Sequence, residues 1–209
     1  MPGLLKIRDF FGDAKRESDI HPHHPDERAH RYHATDDGST EIEVLNFLHA
    51  LVVLYKPRAI LETGTYRGYG AMVLADAARA NGEGEVWTVD RDPPEIARAN
   101  IAKHDPDLLR LIHFHCADSL DMIEAYNGPA FDFCFFDSEI DARMAELHAC
   151  DSRDLLAPGV ILAFHDTSKL RTEEHGFSPL YLNALARLCN GNEHLIFPFS
   201  RGLHVVRLP

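Results

Sequence analysis

Residues 59–70 read AILETGTYRGYG. Ala59 to Leu61 form a short apolar run that reads as a strand. Glu62 ends it, Gly64 and Gly68 mark a turn, and the alanine-rich stretch after Gly70 reads as a helix. A strand that feeds a helix through glycines is where α/β proteins admit nucleotide-like ligands. The backbone can approach closely there, and the helix N-terminus offers free N–H groups. The spacing is E-x-G-x-x-x-G. A dinucleotide fingerprint, G-x-G-x-x-G, would need glycine where Tyr66 stands, and no Gly-Lys-Ser/Thr follows to cradle a phosphate.

The neighbouring stretches extend this pattern in both directions. Upstream, residues 41–56 carry Ile42, Leu45, Leu48 and Val52 on one face and Val44, Phe47 and Leu51 on another, so the spacing predicts a largely buried helix. Ser39 or Thr40 reads as its cap, with Glu41 and Glu43 in the first turn, and Pro57 ends it. Downstream, GEVWTVD is a second strand ending in Asp90, LIHFHCAD a third ending in Asp118, and FDFCFFD a fourth ending in Asp137. VILAFHD, launched by a Pro158-Gly159 turn, is a fifth ending in His165 and Asp166. Helices are expected between them, over residues 71–80, from Pro93 to Ala102, from Ser119 to Tyr126 and from Asp141 to Leu156. Strands alternating with helices imply βαβ units and a parallel sheet, and mainly apolar strands imply a sheet covered on both faces. After a helix over 178–189, HLIFPF and LHVVRL are joined by only Ser200-Arg201-Gly202, which permits only an antiparallel hairpin. The expected fold is α/β and Rossmann-like, a doubly wound sheet of five parallel strands plus a C-terminal antiparallel hairpin, with helices on both faces.

The 209 residues fit one domain over 39–209, preceded by an N-terminal segment, 1–38. Leu4, Leu5, Ile7, Phe10 and Phe11 recur at roughly helical spacing, an amphipathic helix over 3–13 that could dock on the body or on a second copy in a homodimer. The polar stretch HPHHPDERAHRYHATDDGS that follows reads as irregular or as a lid. His21, His23 and His24 would be its metal ligands, but the prolines break any regular ligand geometry. A net charge of −12 repels phosphate backbones, so nucleic acid is not the expected partner. No apolar run approaches the ~20 residues of a membrane span, and residues 1–18 lack the apolar core of a secretory signal. Four scattered cysteines without a C-x-x-C pair read as reduced thiols of a cytoplasmic protein.

One acid at a strand end is ordinary, since aspartate caps helices. Five strands ending in acids at one sheet edge, with no basic residue among them, suit a ligand that carries positive charge. An acid after the second strand can grip ribose hydroxyls, and one after the third can accept from an adenine amino group.

At this point a resemblance emerges. LETGTYRGYGAM is similar to the first motif of the class I S-adenosylmethionine-dependent methyltransferases. It looks especially like the catechol and caffeoyl-CoA branch, where an aromatic follows the last glycine as Tyr69 does here. VWTVD is similar to their second motif and HCADS to the adenine-contacting one. FDFCFFDSE followed by PGVILAFHDTS resembles bacterial small-molecule O-methyltransferases related to the macrocin and cephalosporin-pathway enzymes. The resemblance covers residues 40–209. It implies S-adenosylmethionine as cofactor, a small-molecule acceptor, and methylation of a hydroxyl. The implied cofactor residues are Glu62, Gly64, Thr65, Tyr66, Gly68 and Tyr69 at the turn. Asp90, Arg91, Asp118, Ser119 and Asp137 follow at later strand ends.

For the chemistry, the catechol branch holds a metal with an Asp after the fourth strand and an Asp-Asn pair after the fifth. Asp137 matches the first, and the pair falls on His165-Asp166, or on Asp166-Thr167 if the alignment slips by one. Histidine there is a departure that favours a transition metal over Mg²⁺; alternatively, His165 is a general base and no metal binds. Asp137 and His165 are therefore the expected catalytic residues. Ile140 stands near where that family has a catalytic lysine and many bacterial relatives a histidine. The competing readings are a cofactor-binding protein without catalysis and an NAD-dependent oxidoreductase. Acceptor recognition is expected from residues 14–40, 138–142 and 167–178.

Overall fold

The apolar runs become a seven-stranded sheet. The structure, a computed structural model, describes residues 15–18, 31–36, 38–168, 179–198 and 201–209. The strands are β1 (Lys15–Ser18), β2 (Arg31–Ala34), β3 (Ala59–Thr63), β4 (Glu85–Asp90), β5 (Ile112–Cys116), β6 (Phe131–Phe136), β7 (Leu156–His165), β8 (Glu193–Phe197) and β9 (Leu203–Arg207). The helices are α1 (Ile42–Tyr55), α2 (Tyr69–Asn81), α3 (Glu95–His104), α4 (Ser119–Ala125), α5 (Arg143–Ser152) and α6 (Pro179–Cys189). The main sheet has the order β5-β4-β3-β6-β7-β9-β8. Its first five strands pair in parallel, while β9 pairs antiparallel with β7 and β8 antiparallel with β9. The doubly wound sheet and its terminal hairpin are as expected from the sequence.

Alternation along each strand divides the core in two. Ile60, Val86, Phe133, Phe135 and Ile161 face α1, α2 and Ile101 of α3. Leu61, Val89, Cys134, Phe136 and Leu162 face Met122 of α4, Leu147 of α5 and Leu185 of α6. The strand order reverses between β3 and β6, which lie side by side although α2 to α4 intervene in sequence. A crevice at the carboxyl ends of strands opens at such a reversal.

Three local expectations are corrected. Residues 31–34, read as irregular, form β2 against β1. The alternation is real, with Tyr32 and Ala34 buried and His33 exposed, but it is too short to read as a strand. Neither Ser39 nor Thr40 caps α1. The cap position is Glu41, with no side-chain capping bond; Ser39 Oγ donates to Asp36 and Thr40 Oγ1 to Asp137. Pro158-Gly159 lies inside β7 rather than before it, where the β6–β7 register shifts. The expected helix over 3–13 and the His21, His23, His24 tract lie outside the described residues. Among the described residues no helix is long and apolar enough to cross a membrane, and all four cysteines are free thiols.

Candidate active site

The turn after β3 needs its glycines for two different reasons. Gly64 has φ +92° and packs so closely under the Asp137 carbonyl that a Cβ would overlap it. Gly68, φ +82°, caps α2, and a Cβ there would come 2.8 Å from that of Ala97. Gly70, which the E-x-G-x-x-x-G spacing did not single out, sits in the first turn of α2 in contact with Glu62; a Cβ would overlap the carboxyl oxygen. Between the glycines, Tyr66 takes a left-handed φ of +43°. This turns its N–H toward Asp90, which accepts it at 2.7 Å; the other Asp90 oxygen accepts the Asp92 N–H at 3.0 Å.

Glu62 lies behind this turn, fully buried. Thr88 Oγ1 donates to it at 2.6 Å, and the Thr65 and Thr88 hydroxyls are also 2.6 Å apart. Burial pushes the Glu62 carboxyl up to about 8, against the Thr88 hydrogen bond and with the help of Asp137 and Asp90. Glu62 is therefore largely uncharged at neutral pH, which lets a carboxyl sit in the core without an ion-pair partner.

A cavity of about 560 Å³ opens over the turn. Of the predicted cofactor residues, Gly64, Thr65, Tyr66, Tyr69, Asp90, Arg91, Ser119 and Asp137 are on its wall. Glu62, Gly68 and Asp118 are not. Asp118 instead caps α4 by accepting the Leu120 N–H at 3.0 Å and pairs with Arg91 at 2.9 Å. That guanidinium holds its carboxyl below the usual range. Ser119 Oγ donates to Glu146, which also accepts from Thr63 Oγ1 at 2.9 Å and so ties α5 to the ends of β3 and α4. Gly38, Ser39 and Thr40 line it too, with the Tyr66 ring 3.0 Å from where a Gly38 side chain would begin. Ser138 to Ala142, expected to meet the acceptor, line the cavity as well, with Ile140 buried.

The ends of β6 and β7 bring Asp137, His165 and Asp166 together, with ligand-type atoms within 4.8 Å of one another. Two other groups reach the same spot. Glu41, fully buried, contacts His165 Nε2 through one oxygen and accepts the Arg201 backbone N–H at 2.9 Å through the other. Arg143, 1% exposed at the start of α5, places Nη2 3.4 Å from Asp137 Oδ1 and 3.6 Å from Asp166 Oδ2; Nε donates to the Ser138 carbonyl at 2.9 Å. His165 Nδ1 contacts Asp137 Oδ1 at 2.7 Å, so both ring nitrogens face carboxylates. Burial alone would lower the His165 pKa, but Asp137, Glu41 and Asp166 raise it well above the ordinary histidine range. Both ring nitrogens are thus engaged by carboxylates of the protein itself.

Sequence reasoning did not single out Gly70, Thr40, Glu41, Arg143 or Arg201. Glu41 read as a favourable charge in a first turn and Thr40 as a helix cap, while nothing in the local sequence marked the two arginines.

Comparison with known proteins fits this site. Residues 61–167, about half of the chain, match the family described as "Methyltransferase domain". The chain belongs to this methyltransferase-domain family. The matched stretch runs from the strand before the glycine turn to the end of β7, so it contains all five parallel-strand ends. An O-methyltransferase of Aspergillus thermomutatus, ankF, is 34% identical over 121 residues. That alignment takes in 55% of this chain and 48% of ankF, so the chain spans about half the length of that curated relative. Among solved structures, the methyltransferase PaMTH1 of Podospora anserina, bound to S-adenosylhomocysteine, superposes with a TM-score of 0.70 at 16% identity. The superposition covers 100% of this chain and 98% of PaMTH1. TomG, an O-methyltransferase of Streptomyces achromogenes in complex with S-adenosylmethionine, gives 0.67 at 19% identity, over 82% of each chain. At these identities the likeness shows a methyltransferase fold.

Proposed function

We propose that this methyltransferase-domain protein transfers a methyl group from S-adenosylmethionine to an oxygen of a small-molecule acceptor. The observation that carries the reading is the cavity over the Gly64–Gly70 turn, lined by both Asp90 and Asp137. In this reading the cofactor's ribose hydroxyls donate to Asp90, whose two oxygens are already oriented by the Tyr66 and Asp92 N–H groups. The sulfonium lies toward Asp137, and the adenine toward Arg91, Ala117 and Ser119. Asp118 acts through Arg91, which it holds in place.

Methyl transfer is an in-line displacement. The acceptor oxygen forms a bond to the methyl carbon as the carbon–sulfur bond breaks, leaving S-adenosylhomocysteine. The protein's part is alignment at near-attack distance and removal of the acceptor's proton. Asp166, whose side chain keeps 17% of its surface, is the carboxylate placed to receive that proton, with Asp137 beside it. His165 holds Asp137 in orientation. The acceptor side of the cavity is built from Gly38 to Thr40 and Ser138 to Ala142. The docking role of residues 3–13 in a homodimer, and the acceptor role of 169–178, fall outside the described residues.

The test is incubation with methyl-labelled S-adenosylmethionine and a panel of phenols, sugar hydroxyls and carboxylates. The expected result is a methylated oxygen product formed in step with S-adenosylhomocysteine. Tight cofactor binding with no labelled product across the panel would favour a binding protein without catalysis.

A further inference from the structure

The acid cluster at the ends of β6 and β7 already contains its cations. We infer that the Arg143 guanidinium and the His165 ring occupy the place a divalent ion would take between Asp137 and Asp166, so that this chain binds no metal there and works without one. The activity part of this inference rests on the methyl-transfer reading; the metal-exclusion part does not.

Three observations meet here. First, the ligand atoms of Asp137 and His165 are already engaged. Asp137 Oδ1 faces both His165 Nδ1 and Arg143 Nη2, while Asp137 Oδ2 accepts the Thr40 hydroxyl at 2.8 Å. His165 Nε2 is closed off by Glu41, a residue with no solvent exposure. A Mg²⁺ or Mn²⁺ ion needs about six oxygen ligands near 2.1 Å, several of them waters. Here Asp137 Oδ1 faces N–H groups, Asp137 Oδ2 faces the Thr40 hydroxyl, and Asp166 Oδ2 lies 3.6 Å from the guanidinium.

Second, the guanidinium is not a mobile surface group that an ion could displace. It is buried, and besides the two aspartates it donates to the Ser138 carbonyl from Nε and Nη2, at 2.9 and 2.6 Å, and to the His165 carbonyl from Nη1. These bonds tie the loop after β6 to the end of β7, so expelling the guanidinium would also unfasten the backbone. A planar fork of five donors suits this bridging as an ammonium would not.

Third, fixed cationic charge is already in place. Two guanidiniums, Arg143 and Arg201, lie among the carboxylates Glu41, Asp137 and Asp166. A divalent ion would have to enter beside a buried guanidinium that repels it. Arg143 also reaches the cavity wall, so positive charge that an ion would lend to an acceptor oxygen comes from the chain itself.

The experiment is paramagnetic broadening in amide NMR spectra of the full chain with S-adenosylhomocysteine present. Titration with Mn²⁺ to several equivalents is expected to leave the amide signals of Ser138 and Thr167 no broader than the average of the chain. Selective loss of those two signals at or below one equivalent would overturn the inference. An Arg143→Met chain removes the guanidinium and leaves three acids less balanced. It is expected to show that selective loss, and a folded variant as inert as the wild type would also count against the assignment. If this variant does not fold, the wild-type titration decides alone. In the labelled-methyl assay, turnover is expected to be unchanged by an excess of chelator; loss of turnover restored by Mg²⁺ or Mn²⁺ would overturn it. Absence of any turnover with Ser138 and Thr167 still unbroadened would count against methyl transfer and not against the exclusion of metal.

Discussion

At the residue scale, Glu62 makes the sharpest pH prediction. Its carboxyl is raised from 4.5 in the unfolded chain to about 8 in the fold because burial penalises the charged form. Between those values the folded protein binds a proton that the unfolded chain has lost. The stability tied to this group is thus fully present below pH 4.5 and is lost as pH rises through 8. The slope is about 1.4 kcal/mol per pH unit inside that window. Glu62→Gln keeps the shape and removes the titration, so urea midpoints of the ligand-free variant should fall less between pH 5 and 8 than those of the wild type. Parallel curves would show that Glu62 is ionised in the fold. The sequence marked Glu62 by its place at a strand end next to a glycine turn. It could not show the protonation, which depends on burial of the carboxyl by the folded chain and on Asp137 and Asp90 nearby.

At the element scale, the approach of α2 to β3 is set by one missing methyl. Alanine in place of glycine inside a helix ordinarily stabilises it by about 1 kcal/mol. Gly70→Ala should do the opposite, because the new Cβ would overlap the Glu62 carboxyl. Overpacking of this kind costs about 1–3 kcal/mol. Chemical denaturation decides by sign alone, and a stabilised variant would refute the packing. Elements dominated by their own pattern were legible: the apolar strands β3 to β7, the alanine-rich α2 and the hairpin β8–β9. Those dominated by distant partners were not. Tyr32 and Ala34 alternate over only four residues, too few to signal β2, and Tyr32 is buried over the Arg201 guanidinium, its ring 5.3 Å away. Thr40 looked like a helix cap because its local context is that of a cap; its hydroxyl instead donates to Asp137, 97 residues away.

At the scale of the whole molecule, the site is a product of topology. Parallel strands point their carboxyl ends one way, so acids spread from Glu62 to Asp166 in sequence converge on one edge. That convergence was readable because its elements are regular and its residues acidic. The counter-charges were not, since Glu41 and Arg201 meet over 160 residues through a buried backbone contact. The net charge of −12 thus hides two guanidiniums, Arg143 and Arg201, buried beside the acid cluster. The account stands or falls on whether this edge binds S-adenosylmethionine through Asp90. Calorimetric titration with S-adenosylhomocysteine tests it. One molecule is predicted to bind per chain, and Asp90→Ala, with folding confirmed by its melting curve, should lose about 1–3 kcal/mol of binding, the scale of a charge-assisted hydrogen bond in a buried site. No binding to the wild type, or equal affinity in the folded variant, would contradict it.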